Sequence, residues 1–386
     1  MQFRNFGSLD FKVSALGFGA MRFPTKAVET SSDGNEPQNK IDEAEAIKMM
    51  RYAIDMGVNY IDTAYIYHDG FSEIVTGKAL KDGYRDKVKL ATKSPTWLIK
   101  KPEDFDRILD EQLEKLQTES IDFYLLHSLS RDSWNNVIIK HDIIKRAEAA
   151  KEAGKIKYLG FSFHDEASAF TEIVDGYDKW DFCQIQYNYL DIENQAGQSG
   201  LKYAASKGIA VVIMEPLLGG KLANPPKDVK AILNESGKNQ SAAEWALQWL
   251  WNQPEVSVVL SGMSTMEQVT DNLAAADRSG IGTLNEADLK LIEKVIVKYG
   301  ERAAIPCTGC QYCMPCPNNV NIPRNFELYN SSVMHEDIYS AKFDYENFFD
   351  KANHADQCIQ CKVCEENCPQ KIQISDWMPK VHAMLG

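Results

Sequence analysis

The sequence predicts a parallel α/β barrel followed by a small cysteine-rich domain. Short apolar, β-rich runs alternate with helical patterns over the first 300 of the 386 residues. Eight of the nine cysteines fall in the last 80 residues. No GxGxxG run follows the first apolar segment. We expect a (β/α)8 TIM barrel with an N-terminal hairpin over 1–298, and a helical metal-binding domain over 299–386.

The composition is that of an ordinary globular chain, with 44% hydrophobic and 25% charged residues. A formal net charge of −13 disfavours binding to a nucleic-acid backbone. No apolar run approaches the ~20 residues that span a bilayer, and the first residues lack the apolar segment of a signal peptide. We therefore expect a cytoplasmic protein with no membrane or nucleic-acid partner. Clustered thiols in that compartment bind metal more often than they pair as disulfides.

The first element is a hairpin. MQFRNFGSLDFKV reads as two short strands around a Gly-Ser turn, and we expect it to close the bottom of the barrel.

Eight strands are then expected at intervals of roughly 30 to 40 residues. Near-continuous apolar strands that alternate with helices indicate a parallel sheet buried on both faces, and eight units in about 250 residues match a (β/α)8 barrel. The rival, a doubly wound open sheet, would usually carry a glycine fingerprint after its first strand. Here GFGAMR follows instead. The predicted strands are 13–19, 59–64, 88–93, 122–127, 157–162, 182–186, 210–215 and 257–262.

The segments between the strands divide into helices and loops. EAEAIKMMRYAIDMG, EDFDRILDEQLEKLQ and SAAEWALQWLWNQP have apolar residues at helical spacing. The polar stretch 24–40 is expected to be a structureless loop over the barrel mouth. Loops 24–40, 128–140 and 217–240 are expected to set specificity. They contain aromatic residues such as Trp134, but their composition singles out no substrate.

Four polar residues fall at the ends of consecutive strands, where barrel enzymes carry their chemistry. Asp62 and Tyr67 follow the second strand, Lys93 ends the third and His127 ends the fourth. Each has an ordinary alternative, since a lone aspartate caps helices, a lone lysine is solvated and a lone histidine or tyrosine packs at a core edge. Their joint appearance favours catalysis.

Together the four side chains suit the reduction of a carbonyl group. A tyrosine hydroxyl with a pKa near 10 is a weak acid at neutral pH. An adjacent lysine ammonium lowers that pKa. Asp62 would hold Lys93 protonated and in place, and His127 would orient the substrate carbonyl by a hydrogen bond. Tyr67 would then protonate the carbonyl oxygen while a hydride reaches the carbon.

The run YIDTAYIYHDG, followed by LATK and LLH, is similar to the active-site signature of the aldo-keto reductases. The resemblance covers about residues 1–300 and includes the N-terminal hairpin. In that family the equivalent Asp, Tyr, Lys and His form the catalytic tetrad, so the resemblance implies this role for Asp62, Tyr67, Lys93 and His127.

The resemblance also implies a nicotinamide cofactor, NADP(H) or NAD(H), that lies over the barrel mouth. Phe163 replaces a frequent asparagine, Met214 takes the place of an aromatic residue that stacks on the nicotinamide, and Gly262 and Gln268 replace a lysine and an arginine that grip the 2′-phosphate. The choice between NADPH and NADH therefore stays open. The implied contacts are Ala20, Met21, Ser162, Gln184, Met214, Pro216, Leu217, Gly262, Ser264, Gln268 and Asn272.

The cysteines form two knots, CTGCQYCMPCP and CIQCKVCEENCP. The second has the spacing of a bacterial ferredoxin run for a [4Fe-4S] cluster, in which the last cysteine ligates the other cluster of a pair. The first knot differs by leaving two residues, not three, before its last cysteine. Zinc in Cys₄ sites is the alternative, and Cys183 is expected to be a core residue. The crossed sets are Cys307, Cys310, Cys313 and Cys368 for one [4Fe-4S] cluster, and Cys358, Cys361, Cys364 and Cys316 for the other.

The whole chain resembles the iron–sulfur subgroup of aldo-keto reductases, with a helical ferredoxin-like tail. Three functions for this tail are compatible with the sequence. The clusters relay electrons between the barrel and a ferredoxin or flavoprotein carrier, or they are structural or redox-sensing, or the barrel is a redox-responsive binding or regulatory subunit. The intact tetrad counts against the third function. Two clusters with crossed ligands lie close together, which favours relay.

Overall fold

The computed structural model describes residues 1–27 and 39–386, and its strands confirm the predicted barrel. All eight predicted strands are present, with small differences at their ends. They close in the order β10-β11-β12-β3-β6-β7-β8-β9. The strands are β1 (Phe3–Phe6), β2 (Leu9–Ser14), β3 (Leu16–Gly19), β4 (Thr25–Ala27), β5 (Asn39–Ile41), β6 (Tyr60–Asp62), β7 (Lys89–Pro95), β8 (Ile121–Leu129), β9 (Ile156–Phe163), β10 (Phe182–Gln186), β11 (Ala210–Met214) and β12 (Val256–Gly262).

Helices follow the strands and continue through the C-terminal region. In the described residues no helix has the length and apolar character needed to cross a membrane. The helices are α1 (Glu43–Asp55), α2 (Phe71–Ala79), α3 (Glu103–Leu116), α4 (Arg131–Ser133), α5 (Ile143–Glu152), α6 (Ala167–Asp175), α7 (Gly197–Ser206), α8 (Lys227–Asn234), α9 (Ala242–Trp251), α10 (Met266–Asp277), α11 (Glu286–Glu301), α12 (Ile322–His335), α13 (Ile338–Asn347), α14 (Val363–Glu366) and α15 (Ile374–Leu385).

The N-terminal hairpin closes the bottom of the barrel, as predicted. β1 and β2 pair antiparallel. The ring of Phe6 is fully buried and lies 4.6 Å from the ring of Phe123 and 5.8 Å from that of Phe182, near the N-terminal ends of β8 and β10. Gly7 makes the turn with φ +56°, and a Cβ there would lie 2.5 Å from the carbonyl oxygen of Gly208. Only glycine fits this turn.

The predicted loops contain more regular structure than expected. The expectation of a structureless loop over 24–40 was wrong at both ends, because β4 and β5 pair antiparallel there. The middle of this loop lies outside the described residues. Segment 128–140 holds α4 and a π-helical turn, Trp134–Ile139, and 217–240 holds α8. Trp134 is buried, and its ring packs against that of Trp180.

A buried carboxylate lies near the N-terminal end of β8. Asp122 is 1% exposed, and its oxygens lie 2.7 Å from the Arg85 guanidinium and 2.9 Å from the Lys157 ammonium. The backbone N–H of Leu90 donates to it at 3.0 Å. Burial by itself would raise the pKa of Asp122, but these three partners outweigh burial and lower it. Asp122 therefore joins β7, β8 and β9 through charge.

The chain forms two compact units. The first comprises Met1–Gly219 and Ala243–Asn285, and the second comprises Gly220–Ala242 and Glu286–Gly386. In the second unit α8 packs against α11, and α12, α13 and α15 surround a core of their own. The helical reading of the segment between the two cysteine knots agrees with α12 and α13.

Candidate active site and cysteine sites

The four strand-end residues meet at the mouth of the barrel. Lys93 is completely buried, and its Nζ donates to Asp62 Oδ1 at 2.6 Å, to the carbonyl oxygen of Thr63 at 2.8 Å and to the hydroxyl of Tyr67 at 3.1 Å. An ammonium has three N–H donors, so each has an acceptor. The contact with Tyr67 places a positive charge beside the hydroxyl that would act as the acid.

Burial and charge act against each other in this cluster. Burial raises the pKa of Tyr67, the Lys93 ammonium lowers it, and the net pKa lies above its ordinary value. Lysine thus acts in the predicted direction, but burial has the larger effect. Burial lowers the pKa of Lys93, but Asp62 and Tyr67 together have a larger, opposite effect. The net pKa therefore lies above its ordinary value, and the ammonium stays charged. Burial also raises the pKa of Asp62, against the effects of Lys93 and Gln184.

His127 is a neutral imidazole at the edge of the site. It is 8% exposed, and its ring lies 6.3 Å from that of Tyr67 and 5.1 Å from that of Trp97. Burial, followed by the charge of Lys93, holds its pKa well below the ordinary range. Its Nδ1 has no hydrogen-bond partner in the described part of the chain. A neutral histidine carries one N–H donor, which suits the orientation of a carbonyl oxygen.

Two of the expected cofactor residues are tied to neighbouring strands. Ser162 Oγ accepts from the backbone N–H of Ser128 at 2.7 Å. Gln184 donates from Nε2 to Asp62 Oδ2 at 3.1 Å and thereby links the cofactor side of the mouth to the tetrad. Both side chains are buried.

The remaining expected contacts lie on three loops of the mouth. Ser264 donates from its backbone N–H to Gln268 Oε1 at 2.7 Å, and Asn272 donates to Ser261 Oγ at 3.0 Å. The first bond lies at the start of α10, and the second ties α10 to β12. Ala20 is buried and Met21 is 53% exposed after β3. At the end of β11, Met214 and Leu217 are half-buried and Pro216 is buried.

Arg22 is a residue of this mouth that the sequence did not single out. A Cβ built on Gly262 would lie 3.2 Å from Arg22 Cβ and Cγ, so a side chain at 262 would crowd the arginine. A guanidinium nitrogen lies 3.6 Å from the corresponding position of Gly219. Within residues 1–27 and 39–386 this guanidinium has no ion pair or hydrogen bond. Ser264 Oγ donates to the carbonyl oxygen of Arg22 at 2.8 Å. The one available signal was its place after GFGAM, at a strand end.

The tail cysteines line two cavities. Each cavity contains one of the two crossed sets. One cavity is lined by the set Cys307, Cys310, Cys313 and Cys368, and the other by the set Cys316, Cys358, Cys361 and Cys364. Ile322 and Ile374 line both cavities, so the two sites are neighbours.

The cysteines form no disulfide in the described residues, and two of them share a local geometry. All nine cysteines are free, and Cys183 is fully buried in β10, as predicted. The N–H of Gly309 donates to Cys307 Sγ at 3.5 Å, and that of Gln360 donates to Cys358 Sγ at 3.4 Å. Such bonds stabilise a thiolate and tune the potential of a cluster bound to it. In the described ranges no three His, Cys, Asp or Glu side chains are grouped to hold a single metal ion.

Comparison with known proteins assigns both parts of the chain. The model of the Aldo/keto reductase family matches residues 15–296, which is most of the chain. The chain belongs to the aldo/keto reductase family. The model of a 4Fe-4S dicluster domain matches residues 306–372. This aldo/keto reductase is therefore an oxidoreductase with an iron–sulfur domain, as the sequence predicted.

Two relatives of this aldo/keto reductase align with about three quarters of the chain. L-galactose dehydrogenase of Arabidopsis thaliana is 27% identical over 317 residues, which cover 77% of this chain and 94% of the relative. The aldo-keto reductase YhdN of Bacillus subtilis is 28% identical over 338 residues and covers the same shares.

Solved structures of similar proteins share the barrel. The holo form of the aldo-keto reductase AKR11C1 from Bacillus halodurans has a TM-score of 0.61 and 26% identity, covering 76% of this chain and 96% of its own. An aldo/keto reductase from Klebsiella pneumoniae, solved with NADP and acetate, has a TM-score of 0.59 and 25% identity, covering 76% of this chain and 95% of its own.

The residues at this mouth fit a phosphate-bearing cofactor. Anionic phosphates are best held by arginine or lysine through charge-assisted hydrogen bonds. Gly262 and Gln268 cannot supply such a charge, but Arg22 lies against Gly262 with a guanidinium that has no partner in the described residues. Arg22 thus places a cation after β3, beside Gly262 at the end of β12.

Proposed function

We propose that this protein interconverts a carbonyl compound and the corresponding alcohol, with Tyr67 as the general acid in the direction of reduction. The observation that carries the proposal is the 3.1 Å contact between Lys93 Nζ and the Tyr67 hydroxyl. A buried ammonium beside a phenol has little structural purpose, since desolvation of both groups is unfavourable. It does stabilise the phenolate that remains after proton transfer.

Each side chain has one task in this proposal. His127 donates a hydrogen bond to the carbonyl oxygen and orients it. Tyr67 gives its hydroxyl proton to that oxygen, and the negative charge left on the phenolate is balanced by Lys93. Asp62 keeps Lys93 charged and in place. A bound nicotinamide cofactor supplies the hydride that the carbonyl carbon receives. In the reverse direction the Tyr67 phenolate accepts the alcohol proton.

For the cofactor, we propose that Ser162 and Gln184 hold the carboxamide of the nicotinamide ring. Arg22 would hold a phosphate group. The remaining expected contacts would line the same path across the barrel mouth. NADP(H) is favoured over NAD(H) because the Klebsiella pneumoniae protein was solved with NADP and because Arg22 offers a charge that a 2′-phosphate can use. The remaining contacts are Ala20, Met21, Met214, Pro216, Leu217, Gly262, Ser264, Gln268 and Asn272.

For the tail, we propose that the two crossed cysteine sets hold two [4Fe-4S] clusters, one in each cavity. Such clusters transfer electrons one at a time. The shared lining by Ile322 and Ile374 supports a relay, because neighbouring cavities keep two clusters close. A ferredoxin or flavoprotein would be the external carrier. We take 1–298 as the catalytic domain and 299–386 as the iron–sulfur domain, in a cytoplasmic protein whose thiols stay reduced.

The test of catalysis is the Tyr67→Phe variant. General acid catalysis contributes about 100-fold or more to the rate, so we expect kcat for carbonyl reduction to fall by at least that factor. Binding of NADP+, followed by tryptophan fluorescence, should change little. Tyr65→Phe is the matched control, because Tyr65 donates its hydroxyl to Glu111 and not to the tetrad. Substantial activity in the Tyr67 variant would contradict the proposed role.

The test of the relay is an anaerobic titration of the full chain, followed by absorbance and EPR. NADPH or NADH is added first, and dithionite second. Reduction of the clusters by the nicotinamide would support a shared electron path. Clusters that dithionite reduces, but that the nicotinamide does not reduce even when a carbonyl substrate or a ferredoxin is added, would be structural or sensing clusters. Zinc without an iron signal would overturn the cluster assignment.

A further inference from the structure

A buried polar network lies behind the strand that carries Lys93. Glu73, in the first turn of α2, is completely buried. Its Oε1 accepts from Thr92 Oγ1 at 2.7 Å and from Gln112 Nε2 at 2.6 Å. The ammonium of Lys115 lies 3.7 Å from its other oxygen. Burial raises the pKa of Glu73 against the effects of these partners. A buried carboxylate is unfavourable unless it is paired and hydrogen-bonded, so this position needs an explanation.

Gln112 connects this carboxylate to the backbone of Lys93. It projects from α3, is completely buried, and has its Nε2 3.1 Å from the carbonyl oxygen of Lys93. Its Oε1 accepts from the Tyr124 hydroxyl at 2.7 Å. The amide is therefore held at both ends, by Glu73 and by Tyr124.

The carbonyl of Lys93 needs such a partner because the neighbouring strand has already ended. Thr63 N–H donates to the carbonyl of Ala91 at 2.9 Å. Carbonyls two residues apart on a strand point to the same side, so that of Lys93 faces the same neighbour. The register of β6 and β7 ends at the pair Asp62 and Ala91. Lys93 itself stays in β7, paired with Leu125 of β8, and Gln112 takes the place of the missing β6 partner at its carbonyl.

Ser72, the residue before Glu73, is linked through Thr63 to the ammonium of Lys93. Lys93 Nζ donates to the carbonyl oxygen of Thr63. The hydroxyls of Thr63 and Ser72 lie 2.8 Å apart, and Ser72 Oγ donates to the carbonyl oxygen of Ala20 at 2.9 Å. Two consecutive residues of α2 thus support both the backbone and the ammonium of Lys93.

We propose that Glu73 and Gln112 are positioning residues that fix Lys93 at its contact distance from Tyr67. This inference rests on the proposed function, because it concerns the general acid of that reaction. A displacement of about 1 Å at a reacting group can reduce the rate about 100-fold. A substitution in the network would act on Tyr67 through Lys93 without touching substrate.

The test compares variants of the full chain with its clusters in place. Gln112→Met keeps the length of the side chain and removes the amide, and Glu73→Leu removes the acceptor. We expect kcat to fall about 10-fold to 100-fold, with the KM for the carbonyl compound within about twofold of wild type. Glu73→Gln keeps an oxygen that accepts from Thr92 and Gln112, so it should retain most of kcat. Glu114→Gln is the control, because Glu114 is exposed on α3, the helix that carries Gln112.

A second readout depends on the pKa of Tyr67 and not on turnover. The charged and titratable groups around Tyr67 are Lys93, Asp62 and Glu215, with His127 beside its ring. If Lys93 moves away, it lowers the pKa of Tyr67 less, so that pKa should rise. Ultraviolet difference titration of Gln112→Met against the same variant with Tyr67→Phe measures it. The alkaline limb of kcat should move to higher pH in parallel.

The outcomes separate this inference from the proposed function. Wild-type kcat and an unchanged pKa of Tyr67 in Gln112→Met would overturn the positioning role. So would a loss of kcat that follows a loss of thermal stability and of NADP+ binding without a change of that pKa. If Gln112→Met does not fold, Thr92→Val removes a single hydrogen bond of the network and takes its place. Failure of the proposed function would appear as wild-type protein without tetrad-dependent turnover, while the pKa readout would still be measurable.

Discussion

At the residue scale, burial and charge act on the protonation states of Tyr67, Lys93 and His127 at the barrel mouth. Burial keeps the Tyr67 phenol protonated and His127 neutral, whereas Asp62 and Tyr67 keep Lys93 charged although it is fully buried. In the direction of reduction the acid must carry its proton, so activity should fall as pH rises through the pKa of Tyr67. Because Lys93 opposes the effect of burial, any change that moves the lysine should shift this limb.

At this scale the prediction concerns the binding of the cofactor by Arg22. Removing its charge with Arg22→Gln should weaken the binding of NADP+ about 10-fold to 100-fold, since a hydrogen bond to a charged group contributes about 1.5–3 kcal/mol. Tryptophan fluorescence of the full chain measures the Kd, with NAD+ in parallel. A loss for NADP+ alone would assign Arg22 to the 2′-phosphate, and a loss for both cofactors would assign it to the pyrophosphate.

A matched control separates this effect from general charge loss. Lys202→Gln removes another exposed cation, on α7, and should leave both Kd values unchanged. Unchanged binding of both cofactors in Arg22→Gln would show that no phosphate contacts this guanidinium.

At the element scale, local pattern predicted the strands but not the contacts that closure of the barrel creates. Apolar runs gave the eight strands, and strand ends gave Asp62, Lys93 and His127. Arg22 and Gly262 are 240 positions apart along the chain, and only the pairing of β12 with β3 brings them together. Gln112 looked like one polar residue on a helix, because its partners lie on α2, β7 and β8. The packing of α8 with α11 likewise has no local signal.

Asp122 gives the prediction at this scale. Asp122→Asn should lower the free energy of unfolding of the barrel by about 1.5–3 kcal/mol at neutral pH, because it removes the charge shared by Arg85 and Lys157. Anaerobic urea unfolding, followed by tryptophan fluorescence, measures the change. Its folded pKa is lowered, so this stabilisation is present above the unfolded pKa of about 3.9 and is lost as pH falls through the folded pKa.

The comparison with wild type at several pH values checks the assignment. The difference between Asp122→Asn and wild type should shrink as the pH falls below about 4. Asp86→Asn is the control, since Asp86 is exposed, and it should change stability by no more than about 0.5 kcal/mol. A difference that stays constant with pH would mean that the charge of Asp122 is not what stabilises the barrel.

At the scale of the whole molecule, the chain joins two kinds of redox chemistry. The barrel matches the aldo/keto reductase family, for which we propose two-electron transfer to a carbonyl, and the tail matches a dicluster domain. The two cysteine cavities are built from both knots, because Cys368 lines the cavity of the first knot and Cys316 that of the second. Neither knot is a complete site alone, so folding of the tail should require both.

The last prediction concerns the exchange of Cys316 and Cys368 between the two knots. Pairs of alanine substitutions test it. Two [4Fe-4S] clusters correspond to about eight iron atoms per chain. If Cys307 and Cys368 ligate the same cluster, the double variant Cys307→Ala, Cys368→Ala should lose that cluster alone and keep about four iron atoms. Cys358→Ala with Cys368→Ala should lose both clusters. Iron and sulfide analysis of anaerobically purified protein, with EPR of the dithionite-reduced state, measures the content.

The reverse result would identify uncrossed ligation. If each knot held its own cluster, the double variant Cys358→Ala, Cys368→Ala would retain about four iron atoms. The double variant Cys307→Ala, Cys368→Ala would then lose all of its iron. Cys183→Ala is the control, because this buried thiol lies in β10 of the barrel and lines neither cavity. Its iron content should equal that of wild type. The double variants discriminate where single variants cannot, since any one ligand loss removes the same number of iron atoms under both arrangements.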